Sequence, residues 1–185
     1  MIFLGDSITA GYGLEAEETY PALVQKKANQ AFAGNVRMVN AGLSGDTSAG
    51  GLRRLDWVMG EGADVLLVAL GGNDGLRGLD PGLTEGNLAS IISRARELEP
   101  DVLILLAGMQ MPDSMGRAYA RSFAEVFPAV AEREGVELIP FLLDGVAGDP
   151  QKNLPDRIHP NAKGQQRIAA TVWEVLHPLL AKKFL

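Results

Sequence analysis

The sequence contains no cysteine among its 185 residues. This absence excludes a disulfide, a thiolate nucleophile and a zinc site built on cysteine. There are only two histidines, His159 and His177, which lie far apart in the chain and also disfavour a zinc site. A chain without cysteine folds in oxidising and reducing surroundings alike, so the compartment stays open.

Basic residues are in the minority, with 17 Lys and Arg against 23 Asp and Glu, and the net charge is −6. This balance argues against nucleic acid as a main partner and against polybasic attachment to acidic membranes. No apolar run approaches the roughly 18 residues of a membrane helix, so no stable membrane insertion is expected. The first strand-like run begins almost at Met1. We therefore expect a periplasmic or secreted location if a leader was removed, and a cytoplasmic one otherwise.

What the sequence does contain is short, nearly all-apolar runs separated by longer amphipathic ones. Runs of this kind favour strands that are buried on both faces, as in a parallel sheet covered by helices. The predicted strands comprise residues 2–4, 36–40, 64–70, 101–107 and 136–140.

The intervening segments have helical spacing of their apolar residues. Thr19 is a plausible N-cap ahead of Pro21, and further helices are predicted over 47–59, 84–98, 117–133 and 161–180. This alternation predicts a single α/β domain over residues 1–185, a three-layer α/β/α flavodoxin-like fold. Its five-stranded parallel sheet is expected in the order 2-1-3-4-5. Residues 71–83 and 142–157 remain as long irregular stretches, which are usually functional in a compact domain.

Polar residues stand just past three of the strands and just before the last helix. They occur in four segments: Gly5-Asp6-Ser7, Gly45 within residues 40–46, Gly71-Gly72-Asn73-Asp74, and Asp156 with His159. Because a parallel sheet opens its ligand crevice at the carboxyl ends of its strands, we expect these segments to converge at one edge.

These four blocks, in this order, resemble those of the SGNH or GDSL-type hydrolases. The strings 45–52 and 71–78 look most like the bacterial branch typified by acyl-CoA thioesterase I, lysophospholipase L1 and arylesterases. The resemblance covers nearly the whole chain and departs in the amino end, which has four residues before Gly5. It implies a hydrolase of carboxylic esters and thioesters that acts on small-molecule acyl substrates without cofactor or metal.

The residue types fit that chemistry. A serine hydroxyl is a poor nucleophile until a base removes its proton, and we interpret Ser7 as the nucleophile and His159 as the base. Asp156, three positions before His159, can accept a hydrogen bond from the imidazole Nδ1–H and hold the tautomer. An alternative for Asp156 is an N-cap of the last helix. His177 directly precedes Pro178 late in that helix and is interpreted as structural.

The resemblance assigns the oxyanion donors to the backbone N–H of Ser7, the backbone N–H of Gly45 and the side-chain amide of Asn73. The alternatives are a turn glycine and a turn asparagine. Asp6 and Asp74 are expected to hydrogen-bond loop backbones rather than to transfer protons.

The sequence indicates the substrate-binding residues less directly than the catalytic ones. Leu76 and Leu79 lie in a glycine-spaced loop, and Met109, Met111 and Met115 follow the fourth strand. These side chains are candidates to line an acyl groove, since methionine adapts to variable chains. The alternative is ordinary packing beneath a long loop.

Four other interpretations of the sequence are less favoured. Gly11-x-Gly13-x-x-Ala16 fits a relaxed dinucleotide fingerprint, but it lies several residues beyond the strand. A classical α/β-hydrolase elbow lacks its second glycine, because Thr9 stands there. An inactive binding module on the same fold has no support, since every expected catalytic position is filled. A carbohydrate O-acetylesterase uses the same core and stays open as the alternative function.

Overall fold

A computed structural model of the protein describes residues 1–32 and 36–184. Its five strands are β1 (Ile2–Gly5), β2 (Val39–Gly42), β3 (Val65–Ala69), β4 (Leu103–Ala107) and β5 (Glu137–Ile139). All pairings are parallel, and the strand order is β2-β1-β3-β4-β5. The predicted sheet and its order are confirmed.

Helices cover the sheet. They are α1 (Ser7–Ala10), α2 (Tyr20–Ala31), α3 (Ser48–Val58), α4 (Gly72–Leu76), α5 (Pro81–Leu98), α6 (Arg117–Glu134) and α7 (Ala162–Phe184), with 3₁₀ turns at Ala16–Glu18 and Asp113–Met115. The strands β1 and β3 are buried along their whole length, and they form the centre of one continuous apolar core. None of the described helices is both long and apolar enough to cross a lipid bilayer.

The register aligns the strand ends that matter for the site. Gly5 at the end of β1 pairs with Gly42 on one side and with Ala69 on the other. The chain therefore leaves β1, β2 and β3 at one level, which brings the segments after them to one edge of the sheet.

The second strand begins later than predicted. It starts at Val39 rather than at residue 36, and Val39 is 39 % exposed because β2 is an edge strand. The strand extends instead to Gly42, where any Cβ would come 2.2 Å from the backbone nitrogen of Ala10. Met38, just before the strand, is partly buried against the core, so the apolar character of residues 36–39 did not mark the start of the strand. Residues 33–35 lie outside the described part of the chain.

The stretch 71–83, predicted to be irregular, contains the short helix α4 and the start of α5. Helix α5 begins at Pro81 rather than at Thr84, because the Asp80 carboxylate accepts the N–H of Gly82 and caps the helix there. The second stretch, 142–157, contains turns and bends but no helix or strand.

Candidate active site

Ser7 stands directly after β1, where the strand turns into α1. The preceding carboxylate, Asp6, accepts the N–H of Ile8 at 3.0 Å and so fixes the turn that presents the serine. Ser7 is half-buried, with its hydroxyl at the edge of the sheet.

The structure brings Ser7, His159 and Asp156 into one hydrogen-bonded chain. His159 Nε2 lies 3.0 Å from Ser7 Oγ, and His159 Nδ1 lies 2.7 Å from Asp156 Oδ2. An ionised carboxylate only accepts, so Nδ1 carries the proton and Nε2 accepts from the serine hydroxyl. Ser7 and His159 are separated by 152 positions along the chain, and the loop before α7 brings them together.

A tight loop holds the acid and the base. The second oxygen of Asp156, Oδ1, accepts the backbone N–H groups of Ile158 and His159 at 2.9 and 3.0 Å. Between them, Arg157 has a φ of 61°, the one positive value at a non-glycine residue in the described ranges. The cap of α7 is Asn161, whose Oδ1 accepts two N–H groups of the first turn. Asp156 is therefore free of the capping role that the sequence left open.

The hydrogen bonds to Asp156 also control its ionisation. The His159 side chain, followed by the backbone N–H groups of His159 and Ile158, lowers the pKa of Asp156 to about 2. Asp156 is thus an anion throughout the neutral range, as an orienting acceptor for Nδ1–H must be.

His177 lies elsewhere and packs its ring against Trp173 and Phe32.

Asn73 links the segment after β2 to the segment after β1. Its amide nitrogen donates to the backbone oxygen of Asp46 at 2.9 Å and has a long contact of 3.4 Å with Asp6 Oδ2. The amide thus touches the residue after Gly45 and the residue before Ser7. Gly45 itself has a φ of 80°, which favours glycine, and its Cα faces open space. Within the described residues, neither the Ser7 N–H nor the Gly45 N–H has an acceptor.

Asp74 is buried beside Asn73 and holds the loop in place. Its carboxylate accepts the N–H of Ser48 at 2.8 Å and the hydroxyls of Ser48 and Thr84. The Asp74 side chain therefore links α4 to the starts of α3 and α5. Asn73 is the preceding residue of α4, so the same bonds fix its position.

Asp6 is the most perturbed carboxylate of the site. It is 2 % exposed, and burial raises its pKa to about 6 against the opposing effects of the Ile8 N–H and His159. In the unfolded chain the same group titrates near 3.8. The native state therefore binds the proton more tightly, and the free energy of unfolding falls as pH rises from about 4 to about 6.

Replacing Asp6 by asparagine is expected to raise the free energy of unfolding at pH 8 by up to about 3 kcal/mol. The gain should vanish at pH 4, where the native carboxyl is already protonated. Denaturant titrations of both proteins at the two pH values measure it. Asp149→Asn is the matched control, because the Gln151 N–H lowers the pKa of Asp149 and its replacement should cost stability at pH 8. An Asp6→Asn gain that is equal at both pH values would contradict the assignment.

Two arginines were missed by the sequence analysis. Arg54, on α3, donates to Asp46 Oδ2 at 2.7 Å and to the carbonyls of Ala41 and Gly5 at 2.8 and 3.0 Å. Arg77 donates to the carbonyl of Gly45 at 2.8 Å. Together they brace the turn that carries Gly45. Neither position has a local sequence signal, because every acceptor lies on another element.

The candidate groove residues are in different environments. Leu76 and Leu79 are exposed, whereas Met109 is 3 % exposed and belongs to the core. Met111 lies beneath the loop, so close that a Cβ at Gly75 would come 2.4 Å from its sulfur. Tyr119 donates to the carbonyl of Leu79 at 2.8 Å and holds the loop from the other side. Met115 ends the second 3₁₀ turn and is half-buried.

Metal ligands are not clustered in the described ranges. No group of three or more His, Asp or Glu side chains there is arranged to hold an ion. The polar groups at the sheet edge are hydrogen-bonded to one another or to backbone, in an arrangement suited to proton transfer and to stabilising an anion.

Comparison with known proteins places this geometry in a family. The model of the GDSL-like Lipase/Acylhydrolase family matches residues 3–167. Esterase TesA of Pseudomonas aeruginosa is 43% identical over 182 residues, covering 97% of this chain and 89% of the relative. Thioesterase 1/protease 1/lysophospholipase L1 of Escherichia coli is 38% identical over 183 residues, covering 97% and 84%. A crystal structure of TesA superposes with a TM-score of 0.91 at 42% identity and covers 97% of this chain and 98% of that one. The chain therefore belongs to the GDSL-like lipase/acylhydrolase family.

Proposed function

We propose that this serine hydrolase cleaves carboxylic esters and thioesters through an acyl-enzyme on Ser7. The observation that carries the proposal is the unbroken path from Asp156 Oδ2 through the His159 ring to Ser7 Oγ, with distances of 2.7 and 3.0 Å. The 3.0 Å distance lies within the range in which a base can accept a proton from a nucleophile, and the 2.7 Å distance is a hydrogen bond that orients the base.

In the first half-reaction, Ser7 Oγ attacks the acyl carbon and its proton passes to His159 Nε2. The imidazole becomes a cation, which the Asp156 carboxylate stabilises through Nδ1–H. When the tetrahedral intermediate collapses, His159 returns the proton to the departing alcohol or thiol, and the acyl group stays on Ser7. In the second half-reaction, water attacks the acyl-enzyme and His159 accepts a water proton. As the bond from the acyl carbon to Ser7 Oγ breaks, His159 gives this proton to Oγ and the acid is released.

The intermediate carries a negative oxygen that needs donors already in place. We assign these to the N–H of Ser7, the N–H of Gly45 and one N–H of the Asn73 amide. The first two have no acceptor among the described residues. The Asn73 amide has one well-made bond, and its second N–H has only the 3.4 Å contact with Asp6 to give up.

Exposed apolar side chains support an acyl substrate with an apolar part. Three of the four segments that build the site contribute one each: Leu43 before Gly45, Leu76 after Asn73 and Ile158 before His159. Leu79 adds to the rim beside Leu76, with Met111 beneath that loop. We propose that these side chains contact the acyl chain. The relatives' names as esterase and as thioesterase and lysophospholipase support this substrate class.

One panel of substrates tests the assignment. Nitrophenyl esters of increasing acyl length, acyl-CoA thioesters and acetylated sugars are hydrolysed by one preparation, with kcat/KM measured for each. We expect the esters and thioesters to be cleaved, with kcat/KM rising with acyl length. Hydrolysis confined to the acetylated sugars would replace this proposal by a carbohydrate O-acetylesterase.

Asn73→Ala is expected to lower kcat by roughly 10²–10³-fold, the scale of one oxyanion donor. The loss arises because the amide stabilises the intermediate and not the bound substrate, so KM should change little. Steady-state kinetics with one nitrophenyl ester measure both constants. Asn87→Ala is the control, since that amide donates to Ser48 Oγ at 3.0 Å and not into the site. An unchanged kcat for Asn73→Ala would remove Asn73 from the mechanism.

A further inference from the structure

The ring of Tyr12 lies against the imidazole of His159 in a tilted arrangement. The two ring centroids are 4.4 Å apart and the planes differ by 33°. Tyr12 is nevertheless 52 % exposed, so burial in the core does not account for its position. Half of the Tyr12 ring stays in water, so its contact with His159 is a specific feature that needs an explanation.

The backbone fixes the direction of the Tyr12 side chain. The N–H of Tyr12 donates to the carbonyl of Ser7 at 3.0 Å, which ties it to the residue whose hydroxyl meets His159. Gly11 and Gly13 flank it with φ values of 79° and 76°, a conformation that favours glycine. A Cβ at Gly11 would come 2.3 Å from the Thr19 methyl carbon, so this turn has little freedom to relax.

A second contact joins the same two segments. A Cβ at Gly13 would come 3.0 Å from Leu154 Cδ1, and the N–H of Leu154 donates to the carbonyl of His159 at 2.7 Å. The segment 11–13 therefore meets the histidine loop through a side chain and through a close backbone approach.

The hydrogen bonds of His159 leave one motion unrestrained. They hold Nδ1 and Nε2, the two nitrogens on either side of Cε1, and the line through these atoms is an axis about which the imidazole can still tilt. Contact with a face of the ring opposes this tilt. An aromatic face also attracts a cation, so the same contact favours the imidazolium over the neutral ring.

We infer that Tyr12 is a positioning residue for His159, whose ring face holds the imidazole in plane between Ser7 and Asp156 and stabilises its protonated form. The inference rests on the proposed function, in which His159 is the base. The other groups that face His159 are the Asp156 carboxylate at Nδ1, the Ser7 hydroxyl at Nε2 and the buried Asp6 carboxylate. Tyr12 is the one aromatic ring stacked on His159 within the described residues.

The test compares Tyr12→Leu, which removes the aromatic face, with Tyr12→Phe, which keeps it. The pH dependence of kcat and kcat/KM is measured on an aliphatic thioester, so that no aromatic leaving group can contact the variant position. Tyr12→Leu should lower the plateau of kcat about 2–5-fold and shift the acid limb of kcat/KM to lower pH by roughly 0.4–0.7 unit. Tyr12→Phe should leave both unchanged.

Nuclear magnetic resonance gives a readout that does not depend on activity. The chain has two histidines, so two ring Cε1–H signals are expected. The midpoint of the His159 titration should shift with Tyr12→Leu and not with Tyr12→Phe. The signal of His177, whose neighbours are Trp173 and Phe32, serves as the internal reference.

Three results would overturn the inference. They are a His159 titration that Tyr12→Leu leaves unchanged, an equal effect of both variants, and an effect of Tyr12→Leu confined to the KM of the thioester. The last would assign Tyr12 to substrate binding. Failure of the proposed function is a different result, namely full activity of His159→Ala.

Discussion

Ser7→Ala is expected to lower kcat by roughly 10⁴–10⁶-fold, to near the background rate, while the protein stays folded. The one hydrogen bond that the Ser7 hydroxyl makes in the described structure is the 3.0 Å bond to His159, so alanine removes the nucleophile and little else. Steady-state hydrolysis of a nitrophenyl ester measures the loss, and the thermal unfolding midpoint reports the fold.

Covalent labelling tests the role of Ser7 more directly than the rate does. An activated phosphonate ester should attach once per wild-type chain, at the peptide that contains Ser7, and should not attach to Ser7→Ala. Ser44→Ala is the matched control, because Ser44 is exposed on the turn beside Gly45 at the same edge of the sheet. Labelling of Ser7→Ala at the wild-type rate, or equal losses in the two variants, would contradict a nucleophilic role for Ser7.

The sheet could be predicted because burial on both faces leaves a strong signal in the sequence. Strands β3 and β4 are nearly all apolar and lie where the runs 64–70 and 101–107 indicated. Strand β2 was placed early, since an edge strand is exposed and its bounds follow from pairing with β1 rather than from hydrophobicity. The cap at Asp80 shows the same limit, because the sequence prediction started α5 at Thr84 and missed this cap.

The candidate site was accessible from sequence where its parts are local. Asp156 and His159 are three residues apart, and Ser7 directly follows a strand, so spacing and placement indicated them. Their catalytic roles stay predictions, although the structure joins them by hydrogen bonds. Arg54 and Tyr12 were missed because their partners are contributed by other segments. No local pattern encodes a ring that stacks on a histidine 147 positions away (159 − 12).

The carboxyl groups of Asp6 and Asp156 differ in their pKa values, a difference that the composition of the chain could not indicate. Asp6 is buried and its pKa is raised to about 6, whereas Asp156 accepts three hydrogen bonds and its pKa is lowered to about 2. Opposite shifts in neighbouring acids separate their roles. Asp156 remains the anion that orients His159, and Asp6 gains its proton in the range where the enzyme passes from neutral to acid solution.

Asp156→Asn is expected to lower kcat at neutral pH by roughly 10⁴-fold, more than the loss of a charge alone suggests. The reason lies in the second carboxylate oxygen. Oδ1 accepts two backbone N–H groups, so an asparagine places its carbonyl oxygen there and turns its NH₂ toward His159. That amide donates to Nδ1, which moves the imidazole proton to Nε2 and leaves no acceptor for the Ser7 hydroxyl.

The tautomer is directly measurable. Nitrogen-15 spectra of the imidazole should show the proton on Nδ1 in the wild-type protein and on Nε2 in Asp156→Asn. Asp149→Asn is the matched control, since Asp149 Oδ1 accepts the N–H of Gln151 at 2.8 Å in the same loop and its loss removes an equal charge. We expect that control to keep kcat within about twofold, the size of a surface substitution. An unchanged tautomer in Asp156→Asn, or an equal loss of kcat in the control, would show that Asp156 acts through loop structure and not through the orientation of His159.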